Sequence, residues 1–189
     1  GKLPSFLLYK TRYLSPVRNL GDCGSCWAFS VCDVLADRAS IQSGGLYNQN
    51  LSVQELMACF KRDGCDGGSP ENASIWLEKN GKKLTTENRM KYSQYKGGVV
   101  MSACPDKNPT KYAVSVERDS VRSLAKFIPE KDYDKAVLTE NINNIKRELF
   151  EHGPVYCAMT VYDDLFGYKG ISPYEHSRKA KLIGGHAIE

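Results

Sequence analysis

The chain has 189 residues, of which 41% are hydrophobic and a further 16 are Gly. About half is therefore apolar, the share of a single globular domain; this excludes collagen, coiled coil and disorder, and no apolar run approaches the ~18 residues of a membrane span. The net charge of +4 comes from 26 basic and 22 acidic residues that are scattered, with Lys82-Lys83 and Arg178-Lys179 the tightest groups, so the dense basic stripe of a nucleic-acid reader is not expected.

Residues 1–22 read as extended chain with turns, broken by Pro4 and Pro16, and Gly1-Lys2-Leu3-Pro4 has neither the apolar core nor the cleavage site of a signal peptide. Cys26 to Gln42 is the strongest helix. Its Trp27, Phe29, Val31, Val34 and Leu35 go most of the way round, which predicts burial on nearly all sides, and Gly44-Gly45 stops it. Ser52-Val53-Gln54-Glu55 has the capping-box spacing and opens a short helix through Leu56 and Met57. Ser69-Pro70-Glu71 opens another, which carries Ile75, Trp76 and Leu77 in its core-facing part and ends at Gly81. From Lys82 to Pro109 the chain reads as loops. Tyr112 to Val116 alternates like a strand. Thr139 is expected to cap a helix with Ile142, Ile145, Leu149 and Phe150 on one apolar face, ended by Gly153-Pro154, and Val155 to Val161 to form the next strand. Helices come first and strands second, which predicts an α+β fold with a helical lobe and a β-rich lobe.

Seven Cys is high for a reducing compartment, and it is odd. A disulfide framework uses an even number, so one thiol is expected to stay free for chemistry. In Gly21-Asp22-Cys23-Gly24-Ser25-Cys26-Trp27, a Cys stands at the first turn of the helix predicted to be buried. The partial positive charge there favours a thiolate, and the unpaired N–H groups of the first turn can hold an oxyanion. A base is still required. His152 at a helix C-terminus and His176 in a polar loop read as solvated; His186, after Gly184-Gly185, belongs on a strand with room for close approach.

The run Cys23-Gly24-Ser25-Cys26-Trp27-Ala28-Phe29-Ser30 resembles the nucleophile motif of papain-family cysteine proteases. Gly64-Cys65-Asp66-Gly67-Gly68-Ser69-Pro70 resembles that family's Gly-Cys-x-Gly-Gly segment, and Gly184-Gly185-His186-Ala187 its His motif. Asp37-Arg38, His152-Gly153-Pro154-Val155 and Val161-Tyr162-Asp163-Asp164 are most similar to the cathepsin B branch, with cathepsin C next.

The resemblance implies one papain-like peptidase domain over 1–189, with a catalytic cleft between a helical lobe at about 20–110 and a β-barrel-like lobe built from 1–19 and 111–189. It implies a cysteine-type endopeptidase in which Cys26 attacks, His186 is the base and a thioester acyl-enzyme forms. The backbone N–H of Cys26 would hold the oxyanion. Gly24, Ser25, Gly67 and Gly68 would line the substrate path, with Ala158 at the pocket for the side chain two residues before the cut. Disulfides Cys23–Cys65 and Cys59–Cys104 are implied as well, leaving Cys32 and Cys157, for which small buried hydrophobes are the expectation. No His lies between Phe29 and Phe150, so the paired-His loop that trims C-terminal dipeptides in cathepsin B is not expected. The implied partners are polypeptide substrates, the protein's own propeptide and cystatin-like inhibitors. No metal or cofactor is implied, and the compartment is lysosomal, vacuolar or extracellular.

Two positions depart from the family pattern. Leu20 stands where the family has a Gln that donates to the oxyanion. The chain also ends three residues after His186, before the family's Asn that orients the imidazole, so the C-terminal part of the β lobe is expected to be missing from it. These departures motivate the alternative of a catalytically impaired pseudo-protease or binding module. A Cys23-x-x-Cys26 redox pair lacks the flanking βαβ pattern, and a zinc site from Cys23, Cys26, Cys59 and Cys65 has only one pair at a suitable spacing.

Overall fold

The helix at the centre of the protein, α1 (Cys26–Gln42), buries Trp27, Ala28, Phe29, Val31, Cys32, Val34 and Ala36, as its nearly complete apolar circuit requires. The structure is a computed structural model that describes residues 3–105, 111–126, 134–170 and 172–189; Gly1, Lys2 and the 106–109 part of the expected loop region lie outside it. Around α1 pack α2 (Val53–Phe60) and α3 (Pro70–Asn80). Leu51, Leu56, Met57, Ala73, Leu77 and Leu84 close the core with Trp27.

Both short helices start where their hydroxyl residues predict. Ser69 Oγ accepts from the N–H of Asn72 at 3.2 Å, with Pro70 and Glu71 in the first turn, and Gly81 ends α3 in the left-handed region. Ser52 Oγ accepts from the N–H of Glu55 at 3.0 Å, but only this half of the capping box forms. The Glu55 carboxylate turns instead into the core, where it accepts from Thr85 N–H at 2.6 Å and pairs with Lys82 Nζ at 3.2 Å.

Strand β1 (Lys83–Leu84) pairs antiparallel with β2 (Val114–Ser115). The region from Lys82 therefore contains a strand where only loop is expected from sequence. The strand expected over Tyr112 to Val116 shrinks to two residues because Tyr112 has φ +56°, which no extended chain accommodates.

Helix α4 (Lys135–Glu151) starts four residues before Thr139. Asp134 is its cap, accepting from the N–H groups of Ala136 at 2.7 Å and Val137 at 3.3 Å, a position where a carboxylate also meets the positive helix end. The Thr139 hydroxyl donates to Lys135 O inside the helix. The face of α4 differs too: Ile142 and Phe150 are exposed, and the buried positions are Asn141 and Glu148. Both are polar groups with partners, since Asn141 exchanges two hydrogen bonds with the Lys126 backbone at 2.9 Å and Glu148 pairs with Arg38 and Arg122.

The second sheet joins β3 (Cys157–Tyr162) to β4 (Leu182–Ile188), antiparallel, with Ala158 opposite Ala187 and Met159 opposite His186. β3 begins two residues later than the Val155 start read from sequence, and Cys157 at its start is exposed rather than buried. Cys32 is buried as expected, and burial pushes its thiol far up. β4 packs against α1. The N-terminal chain straps across the other elements: the Tyr9 hydroxyl donates to Leu149 O on α4, and Ser15 donates to Asp37 on α1 through its N–H and its hydroxyl. Among the described residues no helix is long and apolar enough to cross a membrane.

Candidate active site

Cys26 is the first residue of α1, half-buried and with a free thiol. The N–H groups of Ala28 and Phe29 both donate to Ser25 O, at 2.9 and 3.1 Å. Those of Cys26 and Trp27 have no acceptor among the described residues, so two donors of the first turn stay open beside the thiol. The loop before them is pinned on one flank by the Cys23–Cys65 disulfide and by Gly24 N–H to Cys65 O at 2.8 Å. Cys59 and Cys104 form a second bridge. With Cys23, Cys59 and Cys65 so bonded, neither a Cys23–Cys26 redox pair nor the four-Cys zinc site can form.

The glycine pattern after Cys65 is explained by the indole beneath it. Trp27 is fully buried and its Nε1–H donates to Gly64 O at 2.9 Å. A Cβ at Gly68 would lie 2.6 Å from Trp27 Cδ2, and one at Gly24 would lie 2.5 Å from Cys65 O, so both positions require Gly. The result is a shelf in which Gly24, Cys65, Gly67 and Gly68 are neighbours, next to Cys26 in the chain. Lys61 Nζ donates to Gly67 O at 2.9 Å at its edge, a contact that no motif in the sequence signals.

The remaining candidates are placed as follows. Ser25 is fully buried, and its hydroxyl is bonded to Tyr92 Oη at 2.8 Å rather than open to the shelf. Leu20 packs its side chain against the hydrophobic core while its carbonyl accepts from Tyr92 Oη at 2.9 Å. Ala158 lies exposed on β3 and lines a cavity of about 530 Å³ with Val31, Leu35, Ser74, Tyr156 and Cys157; neither Cys26, Gly67 nor His186 is among its described walls. His186 is half-buried on β4, after the exposed Gly184-Gly185. No hydrogen bond joins its ring to Cys26 among the described residues. His152 is exposed at the end of α4, and His176, also exposed, stacks on Tyr162 with centroids 3.9 Å apart.

Tyr92 is the residue that sequence reasoning misses. It sits in a loop with no periodic pattern, and its bonds reach 72 and 67 residues back along the chain.

Comparison with known proteins gives the family and the fold. The family described as papain family cysteine protease matches residues 4–189. A cathepsin B-like cysteine proteinase 5 of Caenorhabditis elegans is 31% identical over 93% of this chain and 56% of its own length. A cathepsin B-like cysteine proteinase of Schistosoma japonicum is 33% identical over 93% of this chain and 54% of its own. A procathepsin B of Trypanosoma congolense shares the fold, with a TM-score of 0.63 at 23% identity over 93% of this chain and 55% of that one. The chain thus spans about half the length of the relatives it matches. It belongs to the papain family of cysteine proteases.

Proposed function

We propose that the protein is a cysteine-type endopeptidase that cleaves polypeptides through Cys26 and His186. What carries the reading is the state of Cys26: a free, half-exposed thiol on the first residue of a buried helix, beside N–H groups with no acceptor among the described residues. The thiolate attacks the scissile carbonyl, and the oxyanion is held by the Cys26 N–H. His186 protonates the leaving amine; water, with His186 as base, then hydrolyses the thioester.

The placement of β4 supports this pairing. Its end, Glu189, lies against Asp33 and Asp37 of α1. β4, which carries His186, packs against α1, which carries Cys26. The lobes follow the same logic: residues 20–110 as the helical lobe, and residues 1–19 with 111–189 as the β-rich lobe, a grouping favoured by the Tyr9 bond to Leu149.

Gly24, Gly67 and Gly68 form the shelf along which an extended peptide would lie. A propeptide or cystatin-like inhibitor would use the same shelf. Two disulfides suit a lysosomal, vacuolar or secreted setting. Cys26→Ala and alkylation of Cys26 should each abolish cleavage of a fluorogenic peptide; undiminished cleavage after either removes the proposal.

A second reading, a catalytically impaired member that binds peptides, is favoured by Leu20, whose side chain is packed in the core and can donate nothing. Covalent capture of Cys26 by a peptidyl epoxide counts against it.

A further inference from the structure

The oxyanion donor at Cys26 is a backbone N–H, and its direction is set by the Ser25–Cys26 peptide. A trans peptide is planar, so this N–H points opposite to the Ser25 carbonyl. That carbonyl is held by the helix through Ala28 and Phe29. The rest of Ser25 is held by Tyr92.

Tyr92 is buried, with its ring in edge contact with Phe29 at 4.9 Å and with Tyr95 at 5.0 Å. Its hydroxyl meets two groups, Leu20 O at 2.9 Å and Ser25 Oγ at 2.8 Å. A carbonyl can only accept and a phenol has one proton, so Tyr92 donates to Leu20 and Ser25 must donate to Tyr92. One hydroxyl thereby ties the two ends of the loop that precedes the nucleophile. The same segment grips the middle of that loop: Asp22 N–H donates to Tyr95 O at 2.8 Å, and a Cβ at Gly21, whose φ is +66°, would fall 2.4 Å from Tyr95 O. Burial raises the Tyr92 phenol above its ordinary range, so it remains a donor at any pH at which the protein works.

We propose that Tyr92 is a positioning residue for peptide hydrolysis, its hydroxyl tying the Leu20 carbonyl to the Ser25 side chain so that the Cys26 N–H keeps its aim at the oxyanion. The inference rests on the reading of Cys26 as the nucleophile. With Leu20 in place of a side-chain donor, the backbone carries this stabilisation, and a small loss of aim costs rate. Leu20, Ser25 and Tyr92 touch no substrate; they act through the Cys26 peptide.

The test uses Tyr92→Phe, which keeps the ring and its two aromatic contacts, together with Ser25→Ala and the double variant, in the natural full-length protein. Hydrolysis of a fluorogenic peptide is compared with alkylation of Cys26 by iodoacetamide, followed at the Cys26 peptide by mass spectrometry because Cys157 is also exposed. Alkylation needs the thiolate but no oxyanion site. Tyr92→Phe is expected to lower kcat on the order of tenfold with KM within about twofold, while the alkylation rate and its pH profile stay at wild-type values. The double variant should cost no more than Tyr92→Phe alone, because both changes break one chain of bonds. An unchanged kcat, an alkylation rate that falls in step with kcat, or costs that multiply in the double variant would overturn the inference and leave the hydrolase reading standing. A wild-type protein that neither hydrolyses peptides nor reacts at Cys26 would remove both.

Discussion

Gly68 lies flat against the Trp27 indole, so close that a Cβ there would stand 2.6 Å from Cδ2 and 2.7 Å from Nε1. The contact joins the glycine shelf to the helix that carries Cys26, since Trp27 is the second residue of α1. Gly68→Ala should therefore force either the shelf or the indole to move, at a cost of about 1–3 kcal/mol, the range for overpacking a dense core. Urea denaturation measures the loss, and tryptophan fluorescence reports whether the indole shifts. A variant with wild-type stability and an unshifted spectrum would show that the shelf is looser than this contact requires.

A buried ion pair crosses the edge of the same core. Glu55 is fully buried, and Lys82, 11% exposed at its side chain, reaches it at 3.2 Å. Removing one partner strands the other charge, so Lys82→Met is expected to destabilise by about 3 kcal/mol. Glu55→Gln in the same chain removes the stranded charge, and the double variant should regain most of that loss. Chemical denaturation of the three variants decides it; a double variant as unstable as Lys82→Met would mean that Glu55 needs its charge for the Thr85 bond and not for Lys82.

Leu20 offers a direct gain-of-function test. Its side chain is partly buried against the core, and its carbonyl is already held by Tyr92, so the backbone at this position is anchored whatever the side chain. Leu20→Gln is expected to raise kcat at least about tenfold, below the ~10²–10³ that one such donor is worth in a well-formed oxyanion site, with little change in KM. Stability should fall by about 1 kcal/mol as partly buried apolar surface is lost. Steady-state kinetics on a fluorogenic peptide provide the check. Unchanged kcat would mean that the site has another donor or that the new amide stays in the core.

What was legible in sequence is mostly local. A hydroxyl, a Pro and an acid in succession announce α3 at Ser69-Pro70-Glu71 because capping is decided within one turn. The circuit of apolar residues announces the burial of α1 for a similar reason. Thr139 misled because Asp134 is an equally good cap one turn earlier, and only packing against Arg38 and Arg122 shows that the face of α4 runs through Glu148. At the candidate site, Cys26 and the glycines carry motifs. Tyr92 carries none, since its role exists only when residues 20 and 25 are brought to it. The facing of Met159 and His186 is a matter of strand register, which local pattern does not set.

The seam between β4 and α1 makes the stability of the protein depend on pH. At Glu189, burial and the nearby carboxylates of Asp37 and Asp33 push the carboxyl up to about 9, against the pull of Arg18. Asp33 is pushed up to about 6 by burial, again with Arg18 opposing. Both groups are raised above their unfolded values, so each favours the folded state most fully when protonated. Their contribution is complete below about pH 4, declines through 6 for Asp33 and continues to decline toward 9 for Glu189. Asp164, which is lowered by its bonds to Ser177 and Tyr174, acts the other way but only below its ordinary 3.8, outside this range. Thermal melts from pH 4 to 8 should therefore show Tm falling as pH rises, a direction suited to the acidic compartment proposed above. Glu189→Gln should flatten the upper part of that profile and melt above wild type at pH 8, because its amide is neutral throughout and can still share a hydrogen with Asp37. A wild-type Tm that rises between pH 5 and 8, or a Glu189→Gln profile parallel to it, would show that the seam does not hold a protonated carboxyl.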